Sequence, residues 1–84
     1  MEDNPIYVQV IAPDKILFEG KVRIIRFPGE KAPFAVLKDH APILTTLSEG
    51  VISYEGEGGP GTVAVKDGFV QVKHNTVYAC VTPK

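Results

Sequence analysis

The sequence holds no tryptophan and a single cysteine, Cys80, among its 84 residues. One cysteine excludes an internal disulfide and a thiolate cage around a metal, and it fits a reducing compartment. Nine basic against ten acidic residues leave a net charge of -1. The basic excess needed to bind a phosphate backbone is missing, so nucleic acid drops out as a partner. No apolar run approaches the roughly 18 residues of a membrane-spanning helix. The opening Met1-Glu2-Asp3-Asn4 is acidic where a signal peptide would be basic. The expectation is an intracellular, soluble chain.

Long uninterrupted segments are also scarce. Eight glycines and seven prolines punctuate the chain, and up to Gly68 no stretch between them is longer than Phe34 to Ala41. Helices need more length. What is abundant instead is apolar alternation at spacing two: Ile6, Val8, Val10; Val63, Val65; Val70, Val72; Val77, Ala79, Val81. Such β-branched alternation marks half-buried strands. Strands are expected near 5–12, 15–20, 21–27, 33–37, 42–47, 50–55, 62–66, 69–74 and 76–82. The fold class is all-β: a small two-sheet β-sandwich or flattened barrel of about nine or ten short strands, because stacking two sheets lets each bury one face.

The length leaves room for one domain over residues 1–84 and one modest core. At about 0.05–0.15 kcal/mol per residue, total stability is only about 4–13 kcal/mol. An unpaired buried charge would consume much of that, so charged side chains are expected outside. Asp67-Gly68 between TVAVK and FVQVK reads as a type I′ hairpin turn. Asn75 reads as a turn residue that tolerates the left-handed conformation, and GEGGPG, Gly56 to Gly61, reads as a mobile hairpin tip. In VRIIRF the alternation slips between Ile24 and Ile25, which implies a β-bulge there or a strand covered on both faces. The second alternative hints that an outer face is not simply wet.

The candidate chemistry is sparse. Asp39-His40 with Thr45, Thr46 or Ser48 offers the ingredients of a nucleophilic triad. Adjacent strand residues point to opposite faces, so Asp39 could orient His40 only at a turn, and no nucleophile-elbow glycines accompany a hydroxyl. A loop histidine with a structural or contact role is the better reading. His40 and His74 lack the clustered partners of a metal site. Cys80, inside VYACV, reads as a small hydrophobe. The glycines of GEGGPG lack the lysine-serine pair and helix of a phosphate cradle. Glu55 and Glu57 read as solubilising charges that discourage edge pairing. The residues therefore favour a binding or assembly role over an enzyme, with no cofactor and no metal.

Taken together, IAPDKILFEGKV, RFPGE, FAVLKDHAPILTTLSEGV, VAVKDGFVQV and TVYACV resemble the N-terminal β-sandwich domain of the F-type ATP synthase epsilon subunit, called delta in mitochondria. The resemblance runs from about Ile6 to Val81. It departs at Ala35, where the family commonly has glycine, and at Lys38-Asp39, where it has Pro-Gly. The resemblance implies a non-catalytic rotor part of the central stalk, between the gamma subunit and the membrane c-ring. The gamma contacts would fall at Ala12, His40 and Thr45, and the c-ring contacts at Gly29, Glu30, Lys31, Ala32 and Pro33. It also implies a peripheral place on the cytoplasmic face of a bacterial inner membrane, held only through the complex. Family members commonly continue into a C-terminal helical hairpin that inhibits ATP hydrolysis and in some binds ATP. With the sequence stopping at Lys84, neither property is expected here. The alternatives are a small β-module binding a sugar or peptide, for which aromatic residues are few, and a hydrolase built on Asp39, His40 and Thr45.

Overall fold

A computed structural model describes residues 5–84, so the acidic opening at 1–4 lies outside the described residues. Within them the chain forms seven strands: β1 (Ile6–Ala12), β2 (Lys15–Phe27), β3 (Phe34–Val36), β4 (Ile43–Leu47), β5 (Gly50–Gly56), β6 (Gly59–Lys73) and β7 (Thr76–Pro83). Hydrogen-bonded neighbours run β1-β7-β6-β5-β2, and β2 closes the circuit on β1. All the pairings are antiparallel except β1 with β7.

The seven strands do the work of nine because two of them serve both layers. β2 pairs with β1 up to Val22 and with β5 and β3 beyond it. β6 pairs with β5 up to Val65 and with β7 and β4 beyond it. One layer is thus β4, the second half of β6, β7, β1 and the first half of β2. The other is the first half of β6, β5, the second half of β2, and β3. Both crossings carry a bulge: the β2–β5 register shifts between Val22 and Ile24, and the β6–β7 register between Val65 and Asp67. An extra residue bends a strand and raises its twist, which is how one strand turns the corner between two sheets.

One sequence expectation changes accordingly. Asp67-Gly68 is not a hairpin turn but part of the bent strand β6. Gly68 has φ of 157°, and a side chain there would run into the Cys80 carbonyl and sit 2.9 Å from the Val81 Cα. The glycine serves close backbone approach at the corner. The two-residue turn with positive φ lies instead at His74 (53°) and Asn75 (59°), joining β6 to β7. Asn75 behaves as its residue type predicts. The slip in VRIIRF is resolved as a bulge at Arg23, while Ile24 is half-buried and Ile25 fully buried. GEGGPG forms the β5–β6 hairpin, with Gly56 opposite Gly59.

The alternating residues fill the space between the layers. Ile6, Val8, Val10, Ile25, Ile52, Val65, Val70, Val77 and Ala79 are fully buried, and Phe27 nearly so. Among the described residues no polar or charged residue is buried, as the small stability margin requires. No helix among them is long and apolar enough to cross a membrane.

Candidate interaction surface

Register dictates what shares an outer face. Where Val70, Ala79 and Val10 point inward, their neighbours Phe69, Cys80 and Ile11 point outward. Phe69 of β6 lies opposite Cys80 of β7, Cys80 beside Ile11 of β1, and Ile11 opposite Ile16 of β2. With strands about 4.8 Å apart, this apolar row spans roughly 14 Å. Ile16 is 54% and Phe69 43% exposed, and Ile11 and Cys80 are half-buried. The adjacent row holds Leu44, Gln71, Tyr78, Gln9 and Glu19, with Leu44 74% exposed. Alongside the Phe69 row lies a shallow depression lined by Ile11, Ala12, Pro13, Phe69, Cys80 and Val81 together with the polar Asp67 and Thr82.

The other layer presents a different outer surface. Arg26, Ser53 and Thr62 stand in register, and Arg23 pairs with Glu55 at 2.9 Å. Val51 is its large exposed hydrophobe. Apolar surface is therefore concentrated on the layer containing β4, β6, β7 and β1, and the hint read from VRIIRF pointed to the wrong strand.

The predicted site residues fall at separate places. Ala12 closes β1 and is buried at the floor of the depression. Thr45, opposite the buried Val70, shares the inner side of β4 and is half-buried; the outward threonine is Thr46, opposite Phe69. His40 lies near the other end of the sheet, half-buried in the segment between β3 and β4. Its backbone N–H donates to the Leu37 carbonyl (3.2 Å), and its ring Nδ1 meets the Ala41 carbonyl at 2.7 Å. Asp39 engages Asn75 rather than the imidazole. The Thr46 hydroxyl goes to Glu30 and that of Ser48 to the Pro28 carbonyl, and Thr45 lies on the inner side of β4, so no triad is assembled.

The loop Gly29–Pro33 is pinned on one side and open on the other. Gly29 is buried and bridges to Leu47, and the Glu30 N–H donates to the Thr46 carbonyl (3.2 Å). The Thr46 hydroxyl donates to the Glu30 carboxylate. A side chain at Gly29 would strike the Ala32 carbonyl and come within 2.9 Å of the Phe34 ring, so the turn needs glycine there. Lys31, Ala32 and Pro33 are left exposed. Through Thr46 and Leu47 this loop adjoins the Phe69 end of the apolar face.

Where that face turns polar, the Tyr7 hydroxyl donates to the Glu19 carboxylate, which also accepts from the Gln9 amide (3.3 Å). The carboxylate hydrogen bond, with lesser help from desolvation and negative charge, raises the Tyr7 pKa. A phenol whose folded pKa is raised lends support that is whole below the ordinary tyrosine value of about 10 and is lost as pH rises through the raised one. Difference absorbance against pH should show the Tyr7 phenolate forming later than in a Glu19→Ala variant. Equal titrations would mean that the contact does not form.

Fold and surface together define a class: a β-sandwich module with one apolar outer face and a polar loop beside it. The chain belongs to the family described as ATP synthase, Delta/Epsilon chain, beta-sandwich domain, which matches residues 5–82. It is 40% identical over 74 residues to the ATP synthase epsilon chain of Leptospira borgpetersenii, covering 88% of this chain and 58% of that one. Against the ATP synthase epsilon chain of Nitratiruptor it is 35% identical over 79 residues, covering 93% and 61%. The chain thus spans about three-fifths of the length of these relatives. The fold superposes on a chain of the Euglena gracilis mitochondrial ATP synthase with a TM-score of 0.84 at 21% identity, covering 92% of this chain and 50% of that one. A chain of the Tetrahymena thermophila central stalk and c-ring gives 0.75 at 20% identity, covering 98% and 66%. At such identities the likeness concerns the fold.

Proposed function

We propose that this chain is a non-catalytic central-stalk subunit of a proton- or sodium-translocating F-type ATP synthase, coupling the gamma subunit to the membrane c-ring. The observation that carries the reading is the apolar row Phe69, Cys80, Ile11 and Ile16, extended by Leu44 and Tyr78, on one outer face. Contiguous apolar surface on a small protein marks a contact with another macromolecule. The gamma subunit covers that face, with Ala12, His40 and Thr45 at or behind the contact. The loop Gly29, Glu30, Lys31, Ala32 and Pro33 rests on the c-ring, with Lys31, Ala32 and Pro33 exposed on a pinned turn.

Such a part does no bond chemistry and takes no cofactor. Strands hold contact groups at fixed spacing, and a compliant coupler between ring and shaft would dissipate torque. The chain sits peripherally at the cytoplasmic face of a bacterial inner membrane and is held there through the complex. Co-purification tests the proposal: gamma from the same enzyme is expected to elute with the wild-type chain and to be lost with Phe69→Glu. A folded wild-type chain that retains no gamma contradicts it.

A further inference from the structure

Three non-glycine residues among those described have positive φ: Asp39 (63°), His74 (53°) and Asn75 (59°). They meet at one junction, although Asp39 and Asn75 are far apart in sequence. The backbone N–H of Asp39 donates to Asn75 Oδ1 (2.6 Å), and Asn75 Nδ2 donates back to Asp39 Oδ1 (3.1 Å). The Asn75 carbonyl accepts from the Tyr7 N–H (3.0 Å). One asparagine therefore ties the β6–β7 turn to the start of β1 and to the segment between β3 and β4.

Left-handed backbone at a residue other than glycine persists only where the surroundings over-determine it. At His74 and Asn75 the two-residue hairpin supplies that constraint. Asp39 has no hairpin around it. It stands instead in the turn closed by the His40 N–H on the Leu37 carbonyl, and the reciprocal pair with Asn75 fastens that turn to the β6–β7 hairpin, at a position where the family resemblance leads one to expect a glycine. The neighbours of Asp39 are the side chains left available for contact: Leu37 is 50% exposed and His40 partly so.

We infer that the Asp39–Asn75 pair is a positioning clasp that fixes the segment from Leu37 to Pro42, so that Leu37 and His40 meet the gamma subunit in one arrangement. This rests on the gamma-binding reading above. A segment freed from its clasp binds in proportion to the time spent in the competent arrangement. If that time falls to about a fifth, affinity falls about fivefold.

The test uses Asp39→Gly and Asn75→Gly, since glycine adopts both left-handed conformations without strain; Asn75→Gly removes both hydrogen bonds, and Asp39→Gly removes the side-chain one. Binding to purified gamma is expected to weaken about fivefold in Asn75→Gly, by less in Asp39→Gly, which keeps the residue-39 N–H bond to Asn75, and no further in the double variant than in Asn75→Gly, with faster amide hydrogen exchange at His40. The swap Asp39→Asn with Asn75→Asp keeps the residue-39 backbone N–H donating to the side chain at 75 and reverses only the side-chain bond, whose amide donor now stands at 39, and should restore affinity. Wild-type affinity in both glycine variants, while Phe69→Glu still abolishes binding, overturns the clasp and leaves the docking reading intact. Weakened binding that the swap does not recover overturns it too. If Phe69→Glu also binds normally, the docking reading itself fails.

Discussion

Replacing Phe27 with alanine is expected to cost about 3–5 kcal/mol of stability. Phe27 is 1% exposed at the end of β2, and its ring stacks on Phe34 with centroids 5.5 Å apart. Truncation removes the transfer free energy of the ring and leaves a cavity that two packed β-layers collapse into poorly, because hydrogen bonding fixes their strands. Against a total of about 4–13 kcal/mol the loss is large enough to unfold much of the population at the lower bound. Urea titration should show the midpoint falling while the slope stays near that of the wild type. A shift below about 1 kcal/mol would mean that Phe27 is not a core residue. The same change should loosen the loop from Gly29 to Pro33, because the Phe34 ring occupies the space beside Gly29.

Phe69 should behave in the opposite way. It lies on the outer side of β6 at 43% exposure, so Phe69→Glu is expected to change stability by no more than about 1 kcal/mol. Its effect appears on assembly. An aromatic anchor in an interface contributes about 2 kcal/mol or more, which corresponds to roughly thirtyfold or more in affinity. A glutamate there must also shed water against Cys80 and Ile11, whose side chains offer a carboxylate no charge or strong hydrogen-bond donor. Val51→Glu provides the control. Val51 is an equally conspicuous exposed hydrophobe on the other layer, and its substitution should leave gamma binding unchanged. Titration calorimetry separates the two, and equal losses from both variants would deny that the interface is confined to one face.

Local pattern carried most of the fold. Ile6, Val8, Val10 and Val77, Ala79, Val81 are core residues as their alternation predicts, because a strand's side-chain period is fixed by backbone geometry alone. Strand continuity was less legible. Asp-Gly suits a hairpin, but Gly68 serves equally well where β6 passes close to the backbone of β7, and the choice depends on pairings with strands distant in sequence. The interaction surface was harder still. Phe69, Tyr78 and Leu44 occupy outward positions in strands already rich in apolar residues, so each resembles one more core residue. Only the pairings of β4, β6, β7 and β1 bring them side by side. A signal was nevertheless present in VYACV, where no residue is charged and neither face is marked as wet. Thr45 illustrates the reverse problem: a hydroxyl reads as outward, yet register sets it opposite buried Val70. The Asp39–Asn75 contact could not be read at all, since nothing local links the two residues.

Cys80 makes the central claim directly measurable, because the chain's one thiol sits half-exposed in the middle of the proposed interface. Alkylation by a small maleimide, followed by intact mass of this chain with and without saturating gamma subunit, reports whether that face is covered. Strong protection in the complex, with full labelling of the free chain on unfolding, is the predicted result. A bound complex in which Cys80 reacts as fast as in the free chain would place gamma on some other surface and contradict the account.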